Sequence, residues 1–514
     1  MLKKDDSPLQ LILLCAVVMS SLPLLAFGLN PEPGPIEIMQ VPTTVAQIAF
    51  VFALALQIGV RNLFAPMTSI QRSLIGSLVV YVVFISFTSP VPSAAILAPS
   101  WIVHIFFFVA LVNYFYYADP DRTEVIWTIL GFTAIFHVCA FLIAWAIWPE
   151  EIRQNRLPAF DNIRHLGYLL APAAAMVAMQ FVVCRNKAIL PLFSFTMAVF
   201  YILYTGSRGG AVALASGLFI AATFVVWHRK KVFSYRVFIL IGVICVAIVV
   251  SEFLPPLPWK PVFGRGVDAI SQTGTEMLSG RREVWNFSAI AIQQNWLWGY
   301  GPAIMGQIPE YQGLPFRHPH NIVLQVLLHW GIVGTVLITA VIMSFLPSVL
   351  KALKEQPVLS LAPLSLLATM CIHALVDGGL FYPFSTVIAL IAFARLVAIG
   401  GLLHQNSSHE PWFSMAQPDR VLPNKTGDRT SLQVKVKDRA YALPRKTENT
   451  LQLASTGFAS TIRFADTWGD ISFQGMFPVQ INSASTAFIE RKPSVKNQPV
   501  RQNLSYRNKP IIRG

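Results

Sequence analysis

Long apolar runs recur along the chain and constrain its fold more than any other feature. A helix needs about 20 apolar residues to cross the hydrocarbon core of a bilayer. Only 12% of the residues are charged, against roughly 25% in an average globular protein. These features exclude soluble globular, disordered, collagenous and disulfide-scaffold proteins, and they predict an all-α polytopic membrane protein with about 12 transmembrane helices. The predicted spans are 9–28, 41–60, 73–90, 98–117, 124–147, 167–184, 188–205, 209–227, 236–254, 321–345, 358–376 and 384–403.

The basic residues predict the orientation of these spans. With the N-terminus inside, 13 Lys and Arg residues lie in short cytoplasmic segments and nine lie on the opposite side, as the positive-inside rule requires. Lys3 and Lys4 precede the first run, but no small-residue cleavage site follows it, so we interpret this run as an uncleaved span. Both termini are therefore expected in the cytoplasm.

The basic residues predicted on the outer side are nearly all arginine. A guanidinium binds phosphate oxygens through two parallel hydrogen bonds and stays charged at any pH. This surface therefore favours an anionic lipid or a pyrophosphate-linked substrate, although pairing with carboxylates on the same side is an alternative. The eight arginines are Arg153, Arg156, Arg164, Arg208, Arg265, Arg281, Arg282 and Arg317.

Composition divides the chain into two predicted regions. Residues 1–403 contain all the spans, whereas residues 404–514 hold 16 Lys and Arg against eight Asp and Glu and lack clear periodicity. We predict that 404–514 is a mostly disordered basic cytoplasmic tail.

One long outer loop, 255–320, separates two spans. Residues 286–294 have helical apolar spacing, and four tryptophans lie close to them. Tryptophan favours the bilayer interface, and long loops between packed elements usually carry function. We therefore expect this loop to lie on the membrane and to cover an active site.

Two arginine motifs are candidate anion sites. Arg208 lies in the turn 204–210, where glycines permit close backbone approach. An arginine at a membrane boundary is costly without an anionic partner, although snorkelling is an alternative. Arg281 and Arg282 lie near a predicted helix start, where free backbone N–H groups favour a diphosphate. Their alternative role is a surface pairing with Glu283.

Two histidine motifs are candidates for proton transfer. His318 and His320 precede the tenth span, and an imidazole can exchange a proton with a hydroxyl acceptor. A metal site is disfavoured here, because no Cys or carboxylate lies nearby in sequence. His373 and Asp377 have i, i+4 spacing and are expected on one helix face, where a purely structural pair is the alternative.

In this order, the motifs resemble the O-antigen ligase/polymerase superfamily of bacterial envelope proteins, over about residues 160–400. Its members have a Ser-Arg-Gly-Gly-like turn, then a large periplasmic loop with Gly-Arg-x-x-x-Trp and Pro-x-x-Gly-x-Gly, and then a His-Asn pair that starts the next helix. Trp296 replaces the proline of the third motif. The matching residues are Ser207–Gly210, Gly280-Arg281 with Trp285, Trp296–Gly301, His320-Asn321 followed by Gly331–Gly334, and His373, Asp377 and Pro383 of the closing helix.

The resemblance implies a glycosyltransferase of the bacterial inner membrane that needs no metal or other cofactor. It would move a glycan from undecaprenyl diphosphate to an acceptor hydroxyl on the periplasmic face. Arg208 and Arg281 would hold the diphosphate, and His320 would act as base or orient the acceptor. Further substrate-binding candidates in the same cleft are Arg282, Arg265, Arg164, His165, His318, Asn321, His373 and Asp377.

Three hypotheses for the acceptor stay open. The first is ligation of a completed polysaccharide to lipid A-core, and the second is polymerisation of O-antigen or exopolysaccharide repeat units. A third uses protein hydroxyls as the acceptor. Membrane lipids are expected partners and nucleic acid is not. From a different class, a polysaccharide or lipid-linked-sugar transporter would also suit twelve spans, but it predicts pseudo-symmetric halves and polar residues at mid-membrane, and the sequence shows neither.

Overall fold

The fold is described by a computed structural model. It describes residues 7–21, 40–118, 120–150, 166–183, 189–228, 235–254, 262, 281–303, 305–312, 318–377 and 379–406. The predicted tail from residue 407 onward lies outside these ranges, as does much of the 255–320 loop.

The described residues are helical throughout, apart from short turns and connections, and contain no strand. Apolar sequence with few charges favours helices because a helix satisfies its own backbone hydrogen bonds. The thirteen α-helices of the described part are α1 Ser7–Ser21, α2 Gln40–Ile58, α3 Ser69–Thr88, α4 Ser93–Tyr117, α5 Pro120–Ile147, α6 Gly167–Val183, α7 Ile189–Tyr204, α8 Arg208–His228, α9 Tyr235–Phe253, α10 Arg281–Gln294, α11 Ile322–Glu355, α12 Pro357–Val376 and α13 Pro383–Asn406.

Each of the twelve predicted spans coincides with one of these helices. Seven of the described helices are long and apolar enough to cross a membrane: α3, α4, α5, α9, α11, α12 and α13. The other five predicted spans fall on shorter apolar helices, α1, α2, α6, α7 and α8. The fold class of a helical, polytopic membrane protein is therefore supported, and the number of twelve crossings stays a prediction.

The helices bury one side and expose large apolar side chains on the other. A continuous core joins side chains from α1 to α13, including Phe107, Tyr201 and Phe345. Phe87 and Phe253, by contrast, are almost fully exposed. Exposed aromatic surface of this kind would be unfavourable in water and suits contact with lipid.

Backbone pairing joins the loop after α10 to α11. Helix α11 is interrupted at Gly331, whose φ is 54°, and residues 296–301 lie against this break. Ideal Cβ atoms on Gly299 and Gly331 would each come within 2.5 Å of backbone atoms of the other segment, so only glycine fits both positions. The backbone hydrogen bonds are Tyr300 N–Leu328 O at 2.9 Å, Gly301 N–His329 O at 2.7 Å, Ile332 N–Trp296 O at 2.8 Å and Val333 N–Leu297 O at 3.2 Å.

A tyrosine of α3 supports this break in α11. The Tyr81 hydroxyl lies 2.5 Å from the Trp330 carbonyl oxygen and 2.8 Å from that of Trp298, and it can donate to either. Carbonyls freed by a helix break need such donors at membrane depth. The predicted Gly-x-Gly motif is therefore a structural joint that fixes α11 relative to α10.

Candidate active site

Four segments of the chain meet at one cluster of polar side chains. They are the start of α10, the residues just before α11, the end of α12 and the start of α6. The centre of the cluster is a hydrogen bond of 2.6 Å between His320 Nδ1 and Asp377 Oδ1. Because a carboxylate only accepts, Nδ1 carries the proton. Nε2 is thus left as the ring nitrogen available to a substrate.

The backbone at His320 has an unusual conformation. Its φ of 52° is the only positive value at a non-glycine residue in the described ranges. Such a conformation costs about 1–2 kcal/mol, and strain of this kind is concentrated at functional sites. The next residue, Asn321, caps α11 by accepting hydrogen bonds from Val323 N at 3.0 Å and Leu324 N at 3.1 Å. Its Nδ2 donates to the Leu375 carbonyl at 3.1 Å, which ties α11 to the end of α12.

Asp377 lies one residue beyond the end of α12, with extended backbone. The predicted shared helix face with His373 is therefore wrong, because the helix ends at Val376 and Asp377 turns towards His320. Burial alone would raise the pKa of the Asp377 carboxyl. The hydrogen bond from His320, the charges of His320 and His318 and the Tyr168 hydroxyl outweigh burial, so its pKa lies well below the ordinary value. Asp377 is thus a carboxylate at neutral pH.

Arg281 is the first residue of α10, as the sequence predicts. Its Nη2 lies 3.9 Å from Asp377 Oδ2, and its side chain is 33% exposed. One end of the guanidinium therefore meets the carboxylate while other N–H groups remain accessible to an anion. Trp285 of the same helix donates from Nε1 to the Pro319 carbonyl at 2.9 Å, which holds α10 beside His320. Arg282 is exposed at the start of α10.

His318 is close to the same cluster. Its ring centroid lies 4.0 Å from that of His320, and its Nε2 shares a hydrogen bond of 3.3 Å with the Tyr382 hydroxyl. His318, His320 and Asp377 each offer a ligand atom within 4.8 Å of the others and could hold a metal ion. The sequence did not suggest a metal site of these three residues, because Asp377 lies 57 positions away from His320 in the chain.

Arg208 and His373 lie in neighbouring elements. Arg208 begins α8, and no acidic side chain of the described ranges forms an ion pair with it. An ideal Cβ on the adjacent Gly209 would lie 3.4 Å from His373 Nε2. His373 is buried, and its ring meets Tyr168 edge-on at 5.0 Å. The start of α8, where Arg208 lies, is therefore next to His373 in α12.

The structure adds two residues that the sequence analysis missed, Tyr168 and Tyr382. Tyr168 lies at the start of a predicted span and Tyr382 lies two residues before one; such positions are common for tyrosine, so sequence alone did not single them out. Arg164, His165 and Arg265, the weaker candidates for the same cleft, lie outside the described residues.

Part of this site lies in a segment that is similar to a known protein family. The family model described as O-antigen ligase matches residues 192–339. This match supports the resemblance of the chain to the O-antigen ligase/polymerase superfamily. The matched segment contains Arg208, Arg281 and His320, whereas Tyr168, His373 and Asp377 lie outside it. No curated protein matches the sequence. The family match and the apolar helices together support a multi-pass bacterial membrane protein of the O-antigen ligase/polymerase type.

Proposed function

We propose that this protein transfers a glycan from undecaprenyl diphosphate to an acceptor hydroxyl on the periplasmic face of the inner membrane, and that its reaction is ligation of O-antigen to lipid A-core. The observation that carries the proposal is the hydrogen bond between His320 and Asp377 at 2.6 Å, with Arg281 beside it. Residues 1–403 form the transferase domain in this proposal, with both termini in the cytoplasm.

In the proposed reaction, the acceptor oxygen attacks the anomeric carbon of the donor sugar. The bond between that carbon and the diphosphate oxygen breaks, and the diphosphate leaves with the electron pair. His320 Nε2 takes the proton of the acceptor hydroxyl, and Asp377 stabilises the imidazolium that forms. The step needs no metal or nucleotide, because undecaprenyl diphosphate is already a good leaving group.

The arginines stabilise the departing diphosphate. Negative charge grows on its oxygens as the sugar leaves, and fixed cations at that point lower the barrier more than they strengthen ground-state binding. Arg281 is partly exposed beside Asp377. Arg208 begins α8, which packs against α12, the helix that ends just before Asp377. Arg282, His318 and Asn321 lie next to Arg281 and His320 in the chain and are further candidates for substrate binding.

Polymerisation of repeat units uses the same donor and the same three groups, and only the acceptor differs. A gel of lipopolysaccharide from a deletion strain, with secreted polysaccharide assayed alongside, separates the two reactions. Ligation predicts loss of every O-antigen band, with glycan accumulating on the lipid carrier. A surviving single-repeat band, or loss of secreted polysaccharide alone, would instead assign a polymerase. If neither product changed, a transporter or a protein-hydroxyl acceptor would replace this proposal.

Complementation then tests the site. His320→Ala, Arg208→Ala and Arg281→Ala at wild-type membrane levels should each fail to restore the product. Lys354→Ala is a matched control, because Lys354 is exposed near the opposite end of α11. Full activity of any of the first three variants would remove that residue from the mechanism.

A further inference from the structure

The two histidines of the segment before α11 lie against each other. The ring centroid of His318 is 4.0 Å from that of His320, at an interplanar angle of 55°, so the two rings are in direct contact. His320 is also bonded through Nδ1 to Asp377 at 2.6 Å. One hydrogen bond fixes a single ring atom and does not by itself fix the plane of the imidazole. The direction of His320 Nε2 therefore also depends on the ring of His318 that packs against it.

Tyr382 and α10 hold His318 in this position. The Tyr382 hydroxyl shares a hydrogen bond of 3.3 Å with His318 Nε2, and the two rings meet edge-on at 6.0 Å and 88°. Pro319 separates the two histidines, and its ring fixes its own φ. Its carbonyl accepts a hydrogen bond of 2.9 Å from Trp285 Nε1. His318 is thus held through its side chain by the residue before α13 and through the backbone that follows it by α10.

Tyr382 is held in place by its own contacts. Its ring stacks on Phe384 at 5.7 Å and 2° and on Tyr168 at 5.5 Å and 25°. Its carbonyl accepts hydrogen bonds from Thr386 N at 3.0 Å and Thr386 Oγ1 at 3.1 Å, which join it to the first turn of α13. The Tyr382 hydroxyl is therefore a fixed point against which His318 can be oriented.

We propose that His318 is a positioning residue: held by Tyr382, its ring keeps the His320 imidazole turned so that Nε2 faces the acceptor hydroxyl. The inference rests on the proposed function, because it assigns His318 a part in the proton transfer by His320. When the ring of His318 is removed, His320 Nδ1 stays bonded to Asp377 and keeps its proton, but Nε2 turns away from the acceptor. Donor binding depends on the arginines and stays intact.

The first test compares two replacements of His318 in a transfer assay with a purified lipid-linked donor. His318→Ala removes the ring, whereas His318→Phe keeps a planar ring of similar size without the nitrogens. Because misplacement of a reacting group by about 1 Å can cost on the order of 10²-fold, His318→Ala should lower kcat about 10- to 100-fold with the donor KM unchanged. His318→Phe restores the packing against His320 and should bring kcat back to within about tenfold of wild type.

The second test asks whether Tyr382 acts through His318. Tyr382→Phe removes one neutral hydrogen bond and keeps the stacked ring, so kcat should fall about two- to tenfold. In the His318→Phe background the same change should leave kcat unaltered, because the nitrogen that the hydroxyl contacts is already absent. Tyr116→Phe is the matched control: Tyr116 is a buried tyrosine beside Gly401, far along α13 from Tyr382, and this variant should keep wild-type kcat.

The outcomes separate the two proposals. Thermal unfolding in detergent identifies the folded variants, and the two Phe variants keep the packing volume, so they test the proposal even if His318→Ala does not fold. Wild-type kcat in His318→Ala, or a raised KM with unchanged kcat, would overturn the positioning role. So would a His318→Phe variant as slow as His318→Ala, because the nitrogens rather than the ring would then be required, as in a metal site. Equal losses of kcat from Tyr382→Phe in both backgrounds would show that Tyr382 does not act through His318 and would overturn it too.

Full transfer by both Asp377→Asn and His320→Ala would instead overturn the proposed function, whatever the His318 variants do.

Discussion

His320 and Asp377 are 57 positions apart in sequence, yet His320 Nδ1 lies 2.6 Å from Asp377 Oδ1. The contact exists because α11 begins and α12 ends at the same end of the bundle, where Asn321 bridges them through the Leu375 carbonyl. Arg281 approaches the second carboxylate oxygen from α10. Base, orienting carboxylate and cation therefore come from three helix ends that the fold brings together.

Removing the carboxylate should slow transfer far more than it disturbs binding. Asp377→Asn keeps the size of the side chain but removes the charge that orients His320 and stabilises its protonated form. We expect kcat to fall on the order of 10³-fold or more, with little change in donor KM. A radiolabelled or fluorescent glycan-transfer assay measures both constants. A fall of less than about threefold would exclude the dyad from the chemical step.

Asp377 should also make stability depend on pH. Its pKa is lowered in the folded protein, so its stabilising contribution is present above its unfolded value of about 3.9 and is lost as the pH falls further. Wild type should therefore unfold at a higher temperature than Asp377→Asn at pH 7, by a margin equivalent to about 2 kcal/mol. The margin should shrink below about pH 4. A margin that is independent of pH would contradict this account.

Helix positions were largely predictable from the sequence because apolar run length and helix-start chemistry are local properties. The helix that begins at Arg281 and the one capped by Asn321 both lie where the motifs indicated. Helix periodicity could not place Asp377, because the i, i+4 spacing from His373 assumes that α12 continues through residue 377. The backbone of Asp377 is extended instead, and this turns its carboxylate towards His320.

The rest of the site depends on contacts between distant segments. Tyr168, Tyr382 and the proximity of His318 to Asp377 arise from helix packing, which no short pattern in one sequence records. The same reason explains why the sequence disfavoured a metal site. Sequence neighbours of His318 and His320 include no carboxylate, but the fold brings Asp377 close to both histidines.

The set of His318, His320 and Asp377 makes metal dependence testable. Proton transfer by His320 requires its Nδ1 to stay bonded to Asp377 rather than to a metal ion, so we expect treatment with EDTA to leave transfer within about twofold of the untreated enzyme. The assay uses a protein purified without a polyhistidine tag. Loss of activity after chelation, with recovery on adding one divalent metal and no recovery in His318→Asn, would instead identify these three side chains as metal ligands.

The break in α11 predicts a strong effect of a single methyl group. At Gly331 the backbone has a φ of 54°, and an ideal Cβ would lie 2.5 Å from the Leu297 carbonyl oxygen. Gly331→Ala should therefore lower the free energy of unfolding by about 2 kcal/mol or more. Because the break joins α11 to the segment after α10, transfer should fall as well. Gly242→Ala is the control, since Gly242 has no atom within 4 Å of its ideal Cβ and alanine should stabilise α9 slightly. Thermal unfolding and glycan transfer are measured on both variants, and wild-type values for Gly331→Ala would show that the backbone joint does not hold the site together.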